Sequence, residues 1–159
     1  MKTLIILIVT SCFLLSAKPS APLTVYVFLQ ADCPCVYSHK DSFESLLRKY
    51  SDKVNFRIIF VGKNDTKSKM QELLKQLNWK VPFSKDEHLK LVNLYQPKLS
   101  TDCVVVDSDN VVIYRGAIDD AVKNMGMVKN FYLKSVIDAA LLKKPLPYFS
   151  VPGTGCSLK

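Results

Sequence analysis

Phe28-Leu29-Gln30-Ala31-Asp32-Cys33-Pro34-Cys35-Val36-Tyr37-Ser38-His39 is the stretch on which the reading of this chain turns. An apolar run stops at an acidic residue, two cysteines flank one proline, and helical spacing follows. A cysteine at the start of a helix sits where the helix dipole and free backbone N–H groups favour an anion, so its thiolate is stabilised. Proline suits the first helical position because it has no N–H to satisfy. Cys33 is therefore the candidate nucleophile. Asp32 opposes thiolate formation if it faces the sulfur, or relays a proton. Cys35 is the nearest candidate partner. A disulfide between residues two apart closes a small, strained ring, which makes it oxidising and easily reduced. His39 lies four residues after Cys35, so on one α-helical face it could act as a base or complete a Cys33/Cys35/His39 site for Cu(I) or Zn(II). The simpler expectation for His39 is an exposed histidine on the helix surface.

The flanking pattern supplies the architecture. Leu23 to Leu29 is apolar on both faces, as in a strand covered on both sides. Phe43, Leu46, Leu47 and Tyr50 recur at helical spacing, and Val54 to Val61 is a second buried strand closed by Gly62. Met70, Leu73, Leu74 and Leu77 mark a second helix, capped by Asp65 or Thr66. A less regular stretch from Ser84 to Pro97 holds a short helix around Glu87 to Tyr95. Cys103-Val104-Val105-Val106 and Val111-Val112-Ile113-Tyr114, joined by Asp107-Ser108-Asp109-Asn110, read as a hairpin. Val128, Phe131, Val136, Ile137 and Ala140 lie within a last helix ending near Leu142. The tail, with Pro145, Pro147, Pro152, Gly153 and Gly155, is expected to be irregular.

Strand, helix, strand, helix, strand, strand, helix, with a cysteine at the first strand–helix junction, resembles the thioredoxin superfamily, and within it the redoxin group that includes alkyl hydroperoxide reductase/thiol-specific antioxidant-like proteins. The carrying segments are Phe28 to Pro34, the hairpin through Tyr114-Arg115-Gly116-Ala117-Ile118-Asp119-Asp120, Ala139 to Pro145, and the closing Gly155-Cys156-Ser157-Leu158-Lys159. The resemblance implies an α/β thioredoxin-like fold over residues 22–144, with a mixed central sheet and helices on both faces. It also implies thiol–disulfide chemistry on protein or small-molecule thiols. Three departures stand out. Only Pro34 separates the two cysteines, where thioredoxin-type enzymes have two residues. Gln30 and Tyr26 replace the Thr or Ser and the Pro that peroxiredoxins place before their peroxidatic cysteine, which weakens a thiol peroxidase reading. Leu99-Ser100-Thr101-Asp102-Cys103, at the start of the third strand, holds no proline, so Thr101 or Asp102 takes the place of the family's cis-proline.

Composition bounds the remaining options. A chain of 159 residues with 48% apolar and 23% charged residues can bury a one-domain core, which excludes a disordered chain. Its formal charge of +8 comes from scattered lysines without a basic cluster interleaved by aromatics, so no nucleic-acid partner is expected. No cofactor is expected. Lys2, the apolar run Leu4 to Leu15 and the small residues Ser16-Ala17 read as a signal peptide over residues 1–17, cut after Ala17. Val9-Thr10-Ser11-Cys12 offers the alternative of a lipobox, with Cys12 lipidated and the protein held at a membrane. Either route exports the chain to the periplasm or an extracytoplasmic membrane surface, where Cys33, Cys35, Cys103 and Cys156 can form disulfides. Cys103 is expected in the core. Cys156, in the tail 145–159, is a candidate mobile resolving cysteine or a structural tether. His88 is expected at the surface, Asn64-Asp65-Thr66 fits a glycosylation acceptor, and Arg115, Asp119 and Asp120 are expected to form a salt-bridged turn.

Overall fold

The computed structural model describes residues 23–123 and 127–158. The expected signal segment, with Cys12, lies outside them. The centre is β1 (Leu23–Leu29), which runs parallel to β2 (Val54–Phe60). On its other side β1 pairs antiparallel with β4 (Cys103–Asp107). β3 (Phe83–Lys85) extends the β2 edge, while β5 (Val112–Gly116) and β6 (Ser150–Val151) extend the β4 edge. The resulting order is β3-β2-β1-β4-β5-β6, a mixed six-stranded sheet.

Side-chain alternation along β1 divides the core in two. Leu23, Val25, Val27 and Leu29 face a large cluster, and Tyr26 and Phe28 face a smaller one. The large cluster takes the apolar stripes of three helices. These are Phe43, Leu46, Leu47 and Tyr50 of α1 (Lys40–Tyr50), Met70, Leu73, Leu74 and Leu77 of α2 (Lys67–Leu77), and Leu133, Val136 and Ile137 of α4 (Tyr132–Leu141). The smaller cluster is covered by α3 (Lys90–Tyr95), with Tyr95 buried against Phe28, Ile59, Val61, Val104 and Val106. Helices thus lie on both faces, three against one, and Asn55 and Arg57 of β2 stay exposed.

Local chemistry sets the ends of these elements. Thr66, not Asp65, caps α2 by accepting the Lys69 N–H. Asp86 accepts the N–H groups of Lys90, Leu91 and Val92 and so starts α3. In the β4–β5 turn, the Asp107 carboxylate accepts from Asp109 and Val111, while Asn110 takes a left-handed φ of 62°. The tail is more ordered than its proline and glycine content suggests. Ser150 and Val151 pair with Arg115 and Gly116. Gly116 has φ +126°, and a Cβ there would lie 1.9 Å from the Val151 carbonyl oxygen, so only glycine admits this strand. The outcome that matters for function is directional: the exits of parallel β1 and β2 and the entry of antiparallel β4 meet at one end of the sheet.

Candidate active site

The loop leaving β1 at that end is fastened on two sides. The Gln30 N–H donates to Ser100 Oγ at 3.1 Å, and the Ala31 N–H donates to Asp65 Oδ1 at 3.0 Å. The other Asp65 oxygen accepts the Gly62 N–H at 2.7 Å, so a single buried carboxylate joins the loops that follow β1 and β2. A Cβ on Gly62 would fall 2.6 Å from that carboxylate, which explains the glycine. The sequence offers Asp65 as a helix cap and as the middle residue of a glycosylation acceptor. Its role in the loops is visible only once the two strand ends are side by side.

Cys33 precedes a 3-10 segment, Pro34–His39, with Pro34 in its first turn. The helical spacing after the cysteines is therefore tighter than α at first. At three residues per turn, positions four apart stand about 120° from each other, against about 40° in an α-helix. That rotation separates His39 from the sulfurs. His39 is buried, not exposed as expected, and its Nδ1 lies 2.6 Å from Asp119 Oδ1. Asp119 also accepts the Ser42 hydroxyl and, at 2.9 Å, the Ala121 N–H. The expected turn pairing of Arg115 with Asp119 is thus replaced by a clamp between the cysteine segment and the loop after β5. Asp120 instead accepts the N–H groups of Lys129 and Asn130 ahead of α4. His39 Nε2 is buried and has no hydrogen-bond partner among the described residues.

The sulfurs gather around Cys33. It is bonded to Cys156, 123 residues later, with Cα atoms 6.2 Å apart. Cys35 is a free, half-buried thiol whose Sγ lies 3.7 Å from the Ser100 carbonyl oxygen. The three sulfurs lie within 4.8 Å of one another. Cys156 is delivered by a tail that runs antiparallel to the segment before β4. Leu99 and Ser157 form a bridge, the Ser100 N–H donates to the Cys156 carbonyl at 2.8 Å, and the Leu158 N–H donates to the Lys98 carbonyl at 3.0 Å. Gly155 lets this tail pass, since a Cβ there would lie 2.7 Å from the Ser100 oxygen and 3.2 Å from Cys35 Sγ.

The same segment carries the position expected of a cis-proline. The described residues contain no cis peptide bond, and Thr101 instead adopts φ 82°. Its N–H donates to the Phe28 carbonyl at 2.7 Å, while Asp102 accepts the N–H groups of Lys98 and Leu99. A β-branched residue at positive φ is strained, and the bonds on either side hold it there. Asp32 is exposed and paired with Lys69 at 3.1 Å. Cys103 is buried away from the cluster and donates to the Gly116 carbonyl at 3.1 Å. Burial, then the carboxylates of Asp102 and Asp119, push its thiol well above the ordinary range. His88 and Asn64 are exposed, and Asn64 lines the cleft beside Cys33 and Cys156.

A mixed sheet with a cysteine at the exit of its central strand, answered by a loop entering the adjacent antiparallel strand, is the thioredoxin class of fold. The chain belongs to the thioredoxin-like family, whose model matches residues 22–112. No curated protein matches it. Among solved structures, it is similar to an uncharacterised conserved protein from Geobacillus kaustophilus, with 27% identity over 88% of this chain and 78% of that one, at a TM-score of 0.78. A hypothetical protein from Sinorhizobium meliloti matches at 22% identity, 87% and 80% coverage and the same TM-score of 0.78. A secreted Mycobacterium tuberculosis disulfide oxidoreductase shares the fold at 17% identity, covering 58% of this chain and 67% of that one, with a TM-score of 0.50. No described helix is long and apolar enough to cross a membrane.

Proposed function

We propose that this chain is an exported, redoxin-type thiol–disulfide oxidoreductase in which Cys33 is the nucleophile and Cys156 the resolving cysteine. The observation that carries the reading is the Cys33–Cys156 pairing between the first strand–helix junction and a tail that could release it. In the reduced protein, the Cys33 thiolate attacks one sulfur of a substrate disulfide and expels the other as a thiolate. The Cys156 thiolate then attacks Cys33 Sγ, releasing the second substrate sulfur and forming Cys33–Cys156. Two electrons have passed to the substrate, and an external dithiol returns the protein to its starting state. Cys35, within reach of both sulfurs, is the alternative resolving group. Export is supported by the signal-like residues 1–17, with periplasmic or lipid-anchored forms both open to it. The M. tuberculosis protein of the same fold is described as secreted, which agrees.

The test is turnover of a model protein disulfide by the parent and three variants. Cys33→Ser should abolish reduction. Cys156→Ser should accumulate a mixed disulfide at Cys33, detectable by mass, while Cys35→Ser should turn over. Trapping by Cys35→Ser and not by Cys156→Ser would exchange the two roles. Parent-like activity in Cys33→Ser would sink the mechanism.

A further inference from the structure

The three sulfurs can serve a second chemistry. We propose that, once Cys33–Cys156 is reduced, Cys33, Cys35 and Cys156 together bind one Cu(I) ion as three thiolates. The geometry is close to what such a site needs. Metal–thiolate bonds of about 2.3 Å directed to the corners of a plane put the sulfurs about 4 Å apart. All three sulfurs already lie within 4.8 Å of one another, and the Cα separation of 6.2 Å between Cys33 and Cys156 leaves room for the bonded pair to open to that distance. Cys33 and Cys35 stand on one short turn, while Cys156 arrives on a separate segment that can adjust to close the site.

The ligand set selects the ion. Thiolates favour soft Cu(I), whereas a structural zinc site takes four protein ligands. Among the described residues no histidine, carboxylate or fourth cysteine joins the group. His39, the third ligand suggested by spacing alone, is held by Asp119. Three thiolates and Cu(I) leave a net charge of −2, and Lys63 lines the cleft that opens onto Cys33 and Cys156. Cys33 is only 3% exposed, so one side of the site is shielded from water and oxidants. The sequence of events balances. A dithiol first supplies two electrons and two protons to the disulfide, and Cu(I) then displaces the thiol protons without further change of oxidation state.

The experiment is an anaerobic titration of the purified, reduced protein, freed of reductant, with Cu(I) presented as its bicinchoninate complex. One equivalent should transfer to the reduced parent and none to the oxidised protein. Cys35→Ser and Cys156→Ser should each fail to compete at the chelator concentration that the parent overcomes, and His39→Gln should still take one equivalent. Copper-edge X-ray absorption of the loaded parent reads the site without any variant, and should show three sulfur neighbours. No transfer to the reduced parent, undiminished competition by both serine variants, or a two-sulfur or nitrogen-containing shell would each overturn the site. A parent that reduces disulfides yet takes no copper would remove this proposal and leave the oxidoreductase reading standing.

Discussion

Gly155→Ala isolates the tail's contribution to the redox couple. The added methyl would sit 2.7 Å from the Ser100 carbonyl oxygen and 3.2 Å from Cys35 Sγ. Ordinary carbon contacts begin near about 3.5 Å, so the first approach is short by most of an ångström. Ser100 cannot retreat cheaply. It is fully buried, its Oγ accepts the Gln30 N–H, and its N–H holds the Cys156 carbonyl. Overpacking of this kind costs about 1–3 kcal/mol. The cost falls on the state with the tail docked, which is the disulfide state, and is relieved when reduction lets the tail move. The disulfide is therefore destabilised relative to the dithiol. With about 1.4 kcal/mol for each 30 mV in a two-electron couple, the midpoint should rise by about 20–65 mV, toward a stronger oxidant. Equilibration in glutathione buffers, followed by thiol alkylation and mass analysis, measures the shift. Thr154→Ala, at the exposed neighbouring residue, should leave the potential where it is. A Gly155→Ala protein with the parent's potential would show that the tail stays docked in both states, and the argument would fail.

Closing a loop across a separation of 123 residues restricts the unfolded chain, and the entropy of that closure is about 5 kcal/mol. Urea unfolding of the oxidised protein should therefore show a loss of that order on reduction, and equal midpoints would count against a constrained unfolded state. Iodoacetamide applied to the folded, oxidised protein should label Cys35 and leave Cys103 untouched, because Cys103 is fully buried and its thiol is raised by burial and by Asp102 and Asp119. Peptide mapping that found Cys103 labelled first would contradict this. Burial, the hydrogen bond to Asp138 and that carboxylate's charge push Tyr50 up to about 12. A group raised on folding contributes stability that is complete below the unfolded tyrosine value near 10 and is lost as the pH rises from there through about 12. Tyr50→Phe should make the stability of the protein fall less steeply across that window, and an unchanged slope in denaturant titrations at several pH values would refute the assignment.

The fold was legible because its central elements follow simple periods. β1, β2, β4 and β5 show as β-branched and aromatic runs, and α1 and α2 as apolar residues every three or four positions. β3 and β6 have three residues and two, too few for any period to show. β6 is also a product of tertiary contact. Ser150-Val151 is too short a run to specify a strand until Gly116, with no Cβ, admits its backbone. The uneven distribution of helices is equally non-local, since the strands' alternation shows two covered faces without showing which helix covers which.

The site divides along the same line. Cys33 could be named as a candidate because its setting is local, a cysteine followed by proline at a strand–helix junction. Cys156 could be named as a candidate, but its pairing depends on residues 98–100 offering backbone groups to the tail, a match between segments nearly sixty residues apart. His39 shows where a local rule misleads. The i,i+4 spacing from Cys35 suggests one face only if the segment is α-helical, and the 3-10 turn carries the imidazole round to Asp119. Asp119 in turn meets its partner only because β5 returns to the same end of the sheet as the exit of β1. The same turn that removes His39 from the sulfurs places Cys35 beside Cys33 and under the passing tail, so the three-sulfur cluster and the buried His39–Asp119 clamp are two consequences of one tight segment. A longer spacer between the cysteines would shift that phase, and with it both the proposed exchange partner of Cys33 and the proposed ligands of Cu(I).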